Sequence, residues 1–185
     1  QPSPAPGRRI VVVGGGPGGL EAARVCAERG HHVVLFEAGA KLGGQMLTAV
    51  RATWRRDLIA IVDWRAAELA RLGADIRLNA FAEPADILAE NPDAVIIATG
   101  GLPDLAWLEG GEHCVSVWDV LADSTTARDD VIVYDGTGRH QAVSCALHLA
   151  EQGRQVQFVT LDDNIGLEME YSARVVYRKR FAENG

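Results

Sequence analysis

The residues best suited to chemistry lie near the amino end, in the run Gly14-Gly15-Gly16-Pro17-Gly18-Gly19. Gly14, Gly16 and Gly19 form the pattern G-x-G-x-x-G. It follows the apolar run Ile10 to Val13 and precedes Leu20, Ala23 and Ala27 at helical spacing. Strand, glycine loop and helix in that order make a phosphate cradle for a dinucleotide. Gly14 permits the tight turn, Gly16 leaves room for backbone to approach a pyrophosphate, and Gly19 lets helix and strand pack closely. The first amides of the helix have no partner inside it and sit at the positive end of its dipole, which suits an anion. Glu37 follows 18 residues after Gly19, at the end of the apolar run Val33 to Phe36. Its carboxylate can accept hydrogen bonds from a ribose diol and repels a 2′-phosphate. A glycine turn without a ligand is the rival reading, and the surrounding strand and helix speak against it.

Two further glycine stretches lie where a long pyrophosphate-linked ligand would need bare backbone. One is Lys41-Leu42-Gly43-Gly44-Gln45, shortly after Glu37; the other is Ala98-Thr99-Gly100, at the end of a later apolar run. Each could also be a simple turn. A dehydrogenase domain for NAD alone needs neither, so together they favour FAD.

The strand and helix pattern returns later in the chain. CAERGHHVVLFEA at 26–38 is echoed by LAEQGRQVQFVTL at 149–161, 123 residues on. In that register Gly14, Gly16 and Gly19 fall on Thr137, Arg139 and Ala142, and Glu37 falls on Thr160. A slip of one residue recovers Gly136 and Gly138 but puts Gln141 at the third position. Unslipped, Arg139 stands where a side chain obstructs a pyrophosphate. Asp135 adds a negative charge beside the loop. Poor NAD(P)H binding is therefore expected at the second unit. Asp135-Gly136-Thr137-Gly138 also reads as an ordinary turn.

Other reactive side chains form no site. His31 and His32 are adjacent on an extended run and face opposite sides. His140 and His148 show no metal-ligand pattern. Ser144 and His148 stand four apart on a helix without an acid partner, so no hydrolase triad is expected. Cys26, Cys114 and Cys145 are scattered. They form neither a CxxC pair nor a disulfide framework, which fits a reducing, cytoplasmic setting. Arg178-Lys179-Arg180 reads as a solvated helix face.

These loops must be held by strands and helices. Buried strands are expected at Ile10–Val13, Val33–Phe36 and Val95–Ala98, with further strands at Ile76–Leu78, Val131–Tyr134 and Val156–Val159. Helices are expected after Gly19, from Leu58 to Gly73, from Pro84, after Ser116 as a capping residue with Asp119, and over 141–152. Ala173, Val176, Tyr177 and Phe181 permit a last helix. The alternation implies an α/β, Rossmann-like FAD/NAD(P)-binding fold: two βαβ nucleotide-binding units with parallel sheets. Residues 1–8, rich in proline, read as a linker. Residues 9–125 read as a partial FAD- or ADP-binding domain and 126–185 as the truncated first part of an NAD(P)-like domain. The 185 residues are 48% hydrophobic and 23% charged, with a net charge of −7. An acidic chain argues against nucleic acid as a partner, and no apolar run is long enough to span a membrane.

The stretch VVVGGGPGGLEAARVCAERGHHVVLFEAGAKLGGQM, with PDAVIIATG, resembles the nucleotide-binding portion of the iron–sulfur flavoproteins. That family includes 2,4-dienoyl-CoA reductase, trimethylamine dehydrogenase, histamine dehydrogenase and N-methylproline demethylase-like enzymes. The resemblance implies that Gly14, Gly16, Gly19, Glu37, Gly44, Gln45 and Gly100 contact FAD, or an ADP in its place, with Ala82 near the adenine. Gly15, Pro17, Gly18, Ala38, Lys41, Gly43 and Thr99 complete the expected cofactor-binding set, and neither a catalytic residue nor a metal ligand is expected. It also implies an absent N-terminal (β/α)8 barrel carrying FMN and the cysteines of a 4Fe–4S cluster. An electron-acceptor protein is a further partner that the resemblance allows. A closing segment beyond Gly185 would complete the flavin site, so weak FAD retention and no activity are expected of this chain alone. The irregular second loop, DVIVYDGTGRHQA, is more similar to the amine dehydrogenase and demethylase branch than to the NADPH-using reductases. An NAD(P)H-dependent 2,4-dienoyl-CoA reductase-like enzyme, an NADH-dependent reductase with NAD at Gly14–Gly19, and an interaction module that has lost its ligand remain as alternatives.

Overall fold

A computed structural model describes residues 6–125 and 127–184. The first five residues of the expected linker therefore lie outside the described part. By internal packing the chain divides into two compact units. The first comprises the residues up to 47 together with 57–102, and the second comprises 48–56 together with 103–185. Residues 103–125, read from the sequence as part of the first domain, thus pack with the second unit, as does the short segment 48–56.

The first unit is built on four parallel strands: β1 (Arg9–Val13), β2 (His32–Phe36), β3 (Asp75–Arg77) and β4 (Ala94–Ile97), in the order β3-β2-β1-β4. β1 is central because its β-branched run is apolar on both faces, and a strand covered on both sides needs that composition. On one face Ile10, Val12, Val33 and Leu35 meet Leu20 and Ala23 of helix α1 (Pro17–Glu28) and Val62 and Leu69 of helix α3 (Ala60–Arg71). On the other face Val11, Val34 and Phe36 pack with Ala80, Ala82 and Ile87. Each such aliphatic side chain contributes about 1.5–3 kcal/mol by leaving water. The two helices are also tied by charge. Glu21 of α1 accepts from Arg24 and from Arg65 of α3, at 2.7 and 2.8 Å. Arg24 holds the Glu21 carboxyl below its ordinary range. A short helix α2 (Gln45–Ala49) follows the second glycine pair, and α4 (Pro84–Ala89) begins where Asp86 turns back to accept the Glu83 amide at 3.0 Å.

One strand departs from expectation. Val95–Ala98 reads as a buried strand, yet β4 lies at the sheet edge with Val95 40% and Ile97 66% exposed. Only Ile96 turns into the core. A short apolar run reports β-propensity and does not tell how many neighbours a strand will have.

The second unit pairs β5 (Asp130–Asp135) with β6 (Gln155–Thr160) in parallel, joined through helix α6 (His140–Glu151). α6 is its core element: Ala142, Cys145, Ala146 and Leu149 pack with Val133 and with Leu121 of helix α5 (Val117–Leu121). Ser116 caps α5 as expected, its hydroxyl accepting the Trp118 amide at 3.1 Å. The last helix forms as α7 (Tyr171–Asn184), with Ala173 and Tyr177 buried and Phe181 half-buried along one stripe. Trp54, from the 48–56 segment, meets Tyr177 edge-on with ring centres 5.0 Å apart.

Candidate functional site

The glycine loop lies at the carboxyl end of β1, between β2 and β4, where the strand order runs outward in both directions. In open α/β sheets that crevice is where ligands sit. The glycines of the loop divide into two kinds. Gly14 has φ +106°, donates its amide to the Phe36 carbonyl at 2.8 Å, and carries no Cβ because one would drive into the Ala98 carbonyl oxygen. Gly19 is bare because a Cβ would strike the Gly14 carbonyl oxygen as α1 descends onto the loop. These two serve the protein's own packing. Gly16 does not. Its φ of −73° and ψ of 177° are ordinary extended backbone, and the nearest atom to a Cβ there would be the Gly44 Cα at 3.9 Å. A Cβ on Gly18 would meet nothing within 4 Å beyond its own helix backbone. The chain therefore leaves a bare surface at the start of α1 that its own packing does not require. Among the described residues no acceptor takes the amides of Gly16, Gly18 or Gly19. Pro17, at the first helical position, has no amide to lose.

The other expected residues gather round this loop. Gly43 donates its amide to the Gly15 carbonyl at 2.8 Å. Gly44, at φ +50°, presses close to Gly16, so that a Cβ on it would lie 3.0 Å from the Gly16 Cα. Gln45 Nε2 donates to the Gly101 carbonyl at 3.1 Å and lies against Gly100, which has φ +73°. Thr99 is exposed, with its amide nitrogen beside Gly14. The fingerprint and the two later glycine stretches thus form one wall. Ala82 is half-buried beside Phe36, two residues past Ala80, whose amide donates to the Glu37 carbonyl at 2.9 Å. Ala38 and Lys41 are exposed, and the Lys41 ammonium has no ion-pair partner among the described residues.

Glu37 is held more firmly than its spacing suggested. Oε2 accepts the Gly15 amide at 2.7 Å and Oε1 accepts the Gly39 amide at 2.6 Å. Each oxygen keeps a further lone pair for a donor such as a ribose hydroxyl. The Gly39 bond is local to Glu37-Ala38-Gly39, whereas the bond from Gly15 spans 22 residues and has no local sequence signal.

Of the residues set aside in the sequence, His140 and Ser144 meet at the Tyr177 hydroxyl, and His148 does not join them. Ser144 Oγ lies 2.6 Å from the Tyr177 hydroxyl, and His148 Nε2 lies 2.9 Å from Gln152, so Ser144 and His148 form no pair. His140 lies 3.5 Å from a Glu170 carboxylate oxygen, and burial lowers its pKa. Burial pushes the Cys145 thiol up to about 12 and raises that of Cys26, which makes both poor nucleophiles. No cluster of three or more metal-ligating side chains occurs among the described residues, and no helix among them is long and apolar enough to cross a membrane.

The second βαβ unit corrects the sequence alignment of the two loops. Val13 pairs with Phe36, and Tyr134 pairs with Val159. From Phe36 to Val159 is 123 residues, as is the step from Pro17 to His140 at the helix starts, but from Val13 to Tyr134 is 121. Counted from those paired residues, three residues, 14–16, precede the helix in the first unit and five, 135–139, in the second, where β5 itself runs on through Asp135. The counterpart of Gly14 is thus Asp135, and neither Thr137 nor Gly136 takes that place. Arg139 does stand where Gly16 stands, at the residue capping the helix.

Residues 12–82 match the family described as an NAD(P)-binding Rossmann-like domain. The chain is 52% identical over 161 residues to a multifunctional alkene reductase/demethylase from Caballeronia cordobensis, covering 87% of this chain and 24% of that protein. It is 42% identical over 173 residues to a probable N-methylproline demethylase from Rhizobium meliloti, covering 93% of this chain and 26% of that protein. The structure of a 2-naphthoyl-CoA reductase superposes over all of this chain and 28% of the other, with a TM-score of 0.91 and 30% identity. The chain spans about a quarter of the length of these relatives. The chain is thus similar to one stretch of an alkene reductase/demethylase and of an N-methylproline demethylase, and within it residues 12–82 match an NAD(P)-binding Rossmann-like domain.

Proposed function

We propose that the loop from Gly14 to Gly19 binds the pyrophosphate of FAD, or of ADP in its place, and that Glu37 accepts the adenosine ribose hydroxyls. The observation that carries this reading is the pair Gly16 and Gly18, bare where the protein's own packing would admit side chains. The amides of Gly16, Gly18 and Gly19 donate to phosphate oxygens, aided by the positive end of α1. Gly43 and Gly44 keep the neighbouring backbone low, Gln45 braces Gly100 and Gly101, and Ala82 borders the adenine. Ala38, Lys41 and Thr99 lie at the rim, where Lys41 adds positive charge.

The whole protein, on this reading, is a flavin-dependent oxidoreductase of the amine dehydrogenase or N-demethylase kind. The resemblance puts FMN and a 4Fe–4S cluster on a (β/α)8 barrel outside this chain; among the described residues Cys26, Cys114 and Cys145 belong to no group of three or more metal-ligating side chains. A bound flavin supplies the electron-transfer chemistry; this chain's residues bind and orient its adenosine diphosphate end. An electron-acceptor protein completes the route.

Calorimetry with ADP, FAD and NADH tests the reading. One saturable site for ADP or FAD, with NADH weaker, supports it. NADH binding tighter than either would favour NAD as the ligand of this loop, in keeping with the family description over residues 12–82. No heat from any of the three would leave the loop an unliganded turn.

A further inference from the structure

We infer that Asp135 is an internal stand-in for a phosphate, and that it closes the second glycine loop to dinucleotides. The residue occupies the place of Gly14 at the end of its strand, and it is 1% exposed. Its Oδ1 accepts the amides of Thr137 and Gly138, at 2.9 and 3.0 Å, and lies 3.1 Å from the Thr137 hydroxyl. Donors that a phosphate-binding loop would turn outward are here directed at the chain's own carboxylate. The other oxygen, Oδ2, is buried without a partner among the described residues. A phosphate entering this loop would meet an uncompensated negative oxygen, and in a poorly solvated place that repulsion is strong.

The surroundings reinforce the closure. Asp162 lies over the same loop, its Oδ2 2.7 Å from where a Cβ on Gly138 would stand. The Glu168 amide donates to the Gly138 carbonyl at 3.0 Å, so the segment after β6 crosses the loop as Gly43 crosses the first. That segment contains Asp162, Asp163, Glu168 and Glu170, where the matching stretch of the first unit contains Lys41 and no acid. The Trp107 ring covers Gly136, 3.1 Å from the position a Cβ would take. The two units therefore share a scaffold and differ in what meets the loop amides. The first leaves the amides of Gly16, Gly18 and Gly19 open, and the second turns those of Thr137 and Gly138 onto its own carboxylate. Asp135 is thus a specificity-determining residue that confines nucleotide binding to the first unit, whichever nucleotide that unit takes.

The test uses the 185-residue chain labelled with 15N, and inorganic pyrophosphate and NADH as probes. Gly16→Asp is introduced throughout to silence the first loop. With Asp135 intact, the Thr137 and Gly138 amide resonances should not move with either probe. In Asp135→Ala both should shift saturably with pyrophosphate, with a gain in affinity of at least tenfold. Response of these amides while Asp135 is intact would overturn the inference. So would their silence in a folded Asp135→Ala chain. If that variant does not fold, Asp135→Gly, which restores the residue the first unit uses, is read in the same way. The chain with Asp135 intact remains decisive by itself, since any response there refutes the closure. Because these readouts lie at the second loop, they stand apart from success or failure of ADP binding at the first.

Discussion

Substituting aspartate for Gly16 separates the protein's need for this residue from a ligand's need. Gly16 caps α1 in extended conformation, and a Cβ there would have no neighbour closer than 3.9 Å. Aspartate is among the favoured N-cap residues, because its side chain accepts an amide of the first helical turn. The Gly16→Asp chain should therefore fold as stably as its parent, or more stably by a few tenths of a kcal/mol. The same carboxylate would accept from the amides of Gly18 or Gly19, the donors assigned to phosphate, and would face the pyrophosphate at about 4–5 Å. At an effective dielectric constant near 20, one such charge pair repels by about 3–4 kcal/mol. Exposure and salt reduce this to about 2–3 kcal/mol, a loss of about 30- to 150-fold in affinity. Calorimetric titration with ADP beside a thermal melt reads both quantities. A melt near that of the parent with weakened ADP binding is expected. Unchanged ADP affinity in the folded variant would refute the assignment of the phosphates to this loop.

Gly14→Ala should act in the opposite way: at φ +106° and facing the Ala98 carbonyl, it should cost about 2 kcal/mol or more, read as a lower urea midpoint. Glu37→Gln should weaken ADP binding by about ten- to a hundredfold, since bonds to a charged acceptor contribute about 1.5–3 kcal/mol. The same substitution should narrow the gap between ADP and 2′-phospho-ADP, and a gap left unchanged would show that Glu37 does not face the ribose. Burial lowers the pKa of His140, which faces Arg55, Glu170, Tyr177 and Trp54, and of His148, which faces Arg51, Glu151 and Gln152. A histidine depressed in the folded state binds its proton more readily when unfolded, so its stabilisation is complete above about pH 6.5 and is lost as pH falls towards the lowered value. The urea midpoint should drop between pH 7.5 and pH 5, and less steeply in His140→Gln.

The parallel βαβ plan was legible because Ile10–Val13 and Val33–Phe36 are apolar without alternation and a glycine run separates the first from a helix. Ala173, Val176, Tyr177 and Phe181 permitted a helix, and α7 forms there with Val176 on its exposed side. What escaped the sequence depends on neighbours. Val95–Ile97 is as apolar as β1, and only the count of adjacent strands distinguishes an edge from a centre. Residues 48–56 carry no mark that Trp54 will pack on Tyr177. The extra two residues of the second loop were hidden because helix and following strand keep a constant offset in both units, while β1 and β5 share too little sequence to reveal their own. Among the site residues, the fingerprint glycines were readable as a set. Their division into those the fold requires and those it leaves open rests on distances to Ala98, Gly44 and the Gly14 carbonyl, residues far apart in the chain or on the far side of the turn.

The most direct measurement is a titration of the 15N-labelled chain with ADP, followed at the amides of Gly16, Gly18 and Gly19. These three resonances should move together and saturate at one ADP per chain, while those of Thr137 and Gly138 stay still. If ADP leaves the three unmoved at millimolar concentration, or binds with its largest shifts elsewhere, the first glycine loop does not hold the phosphates.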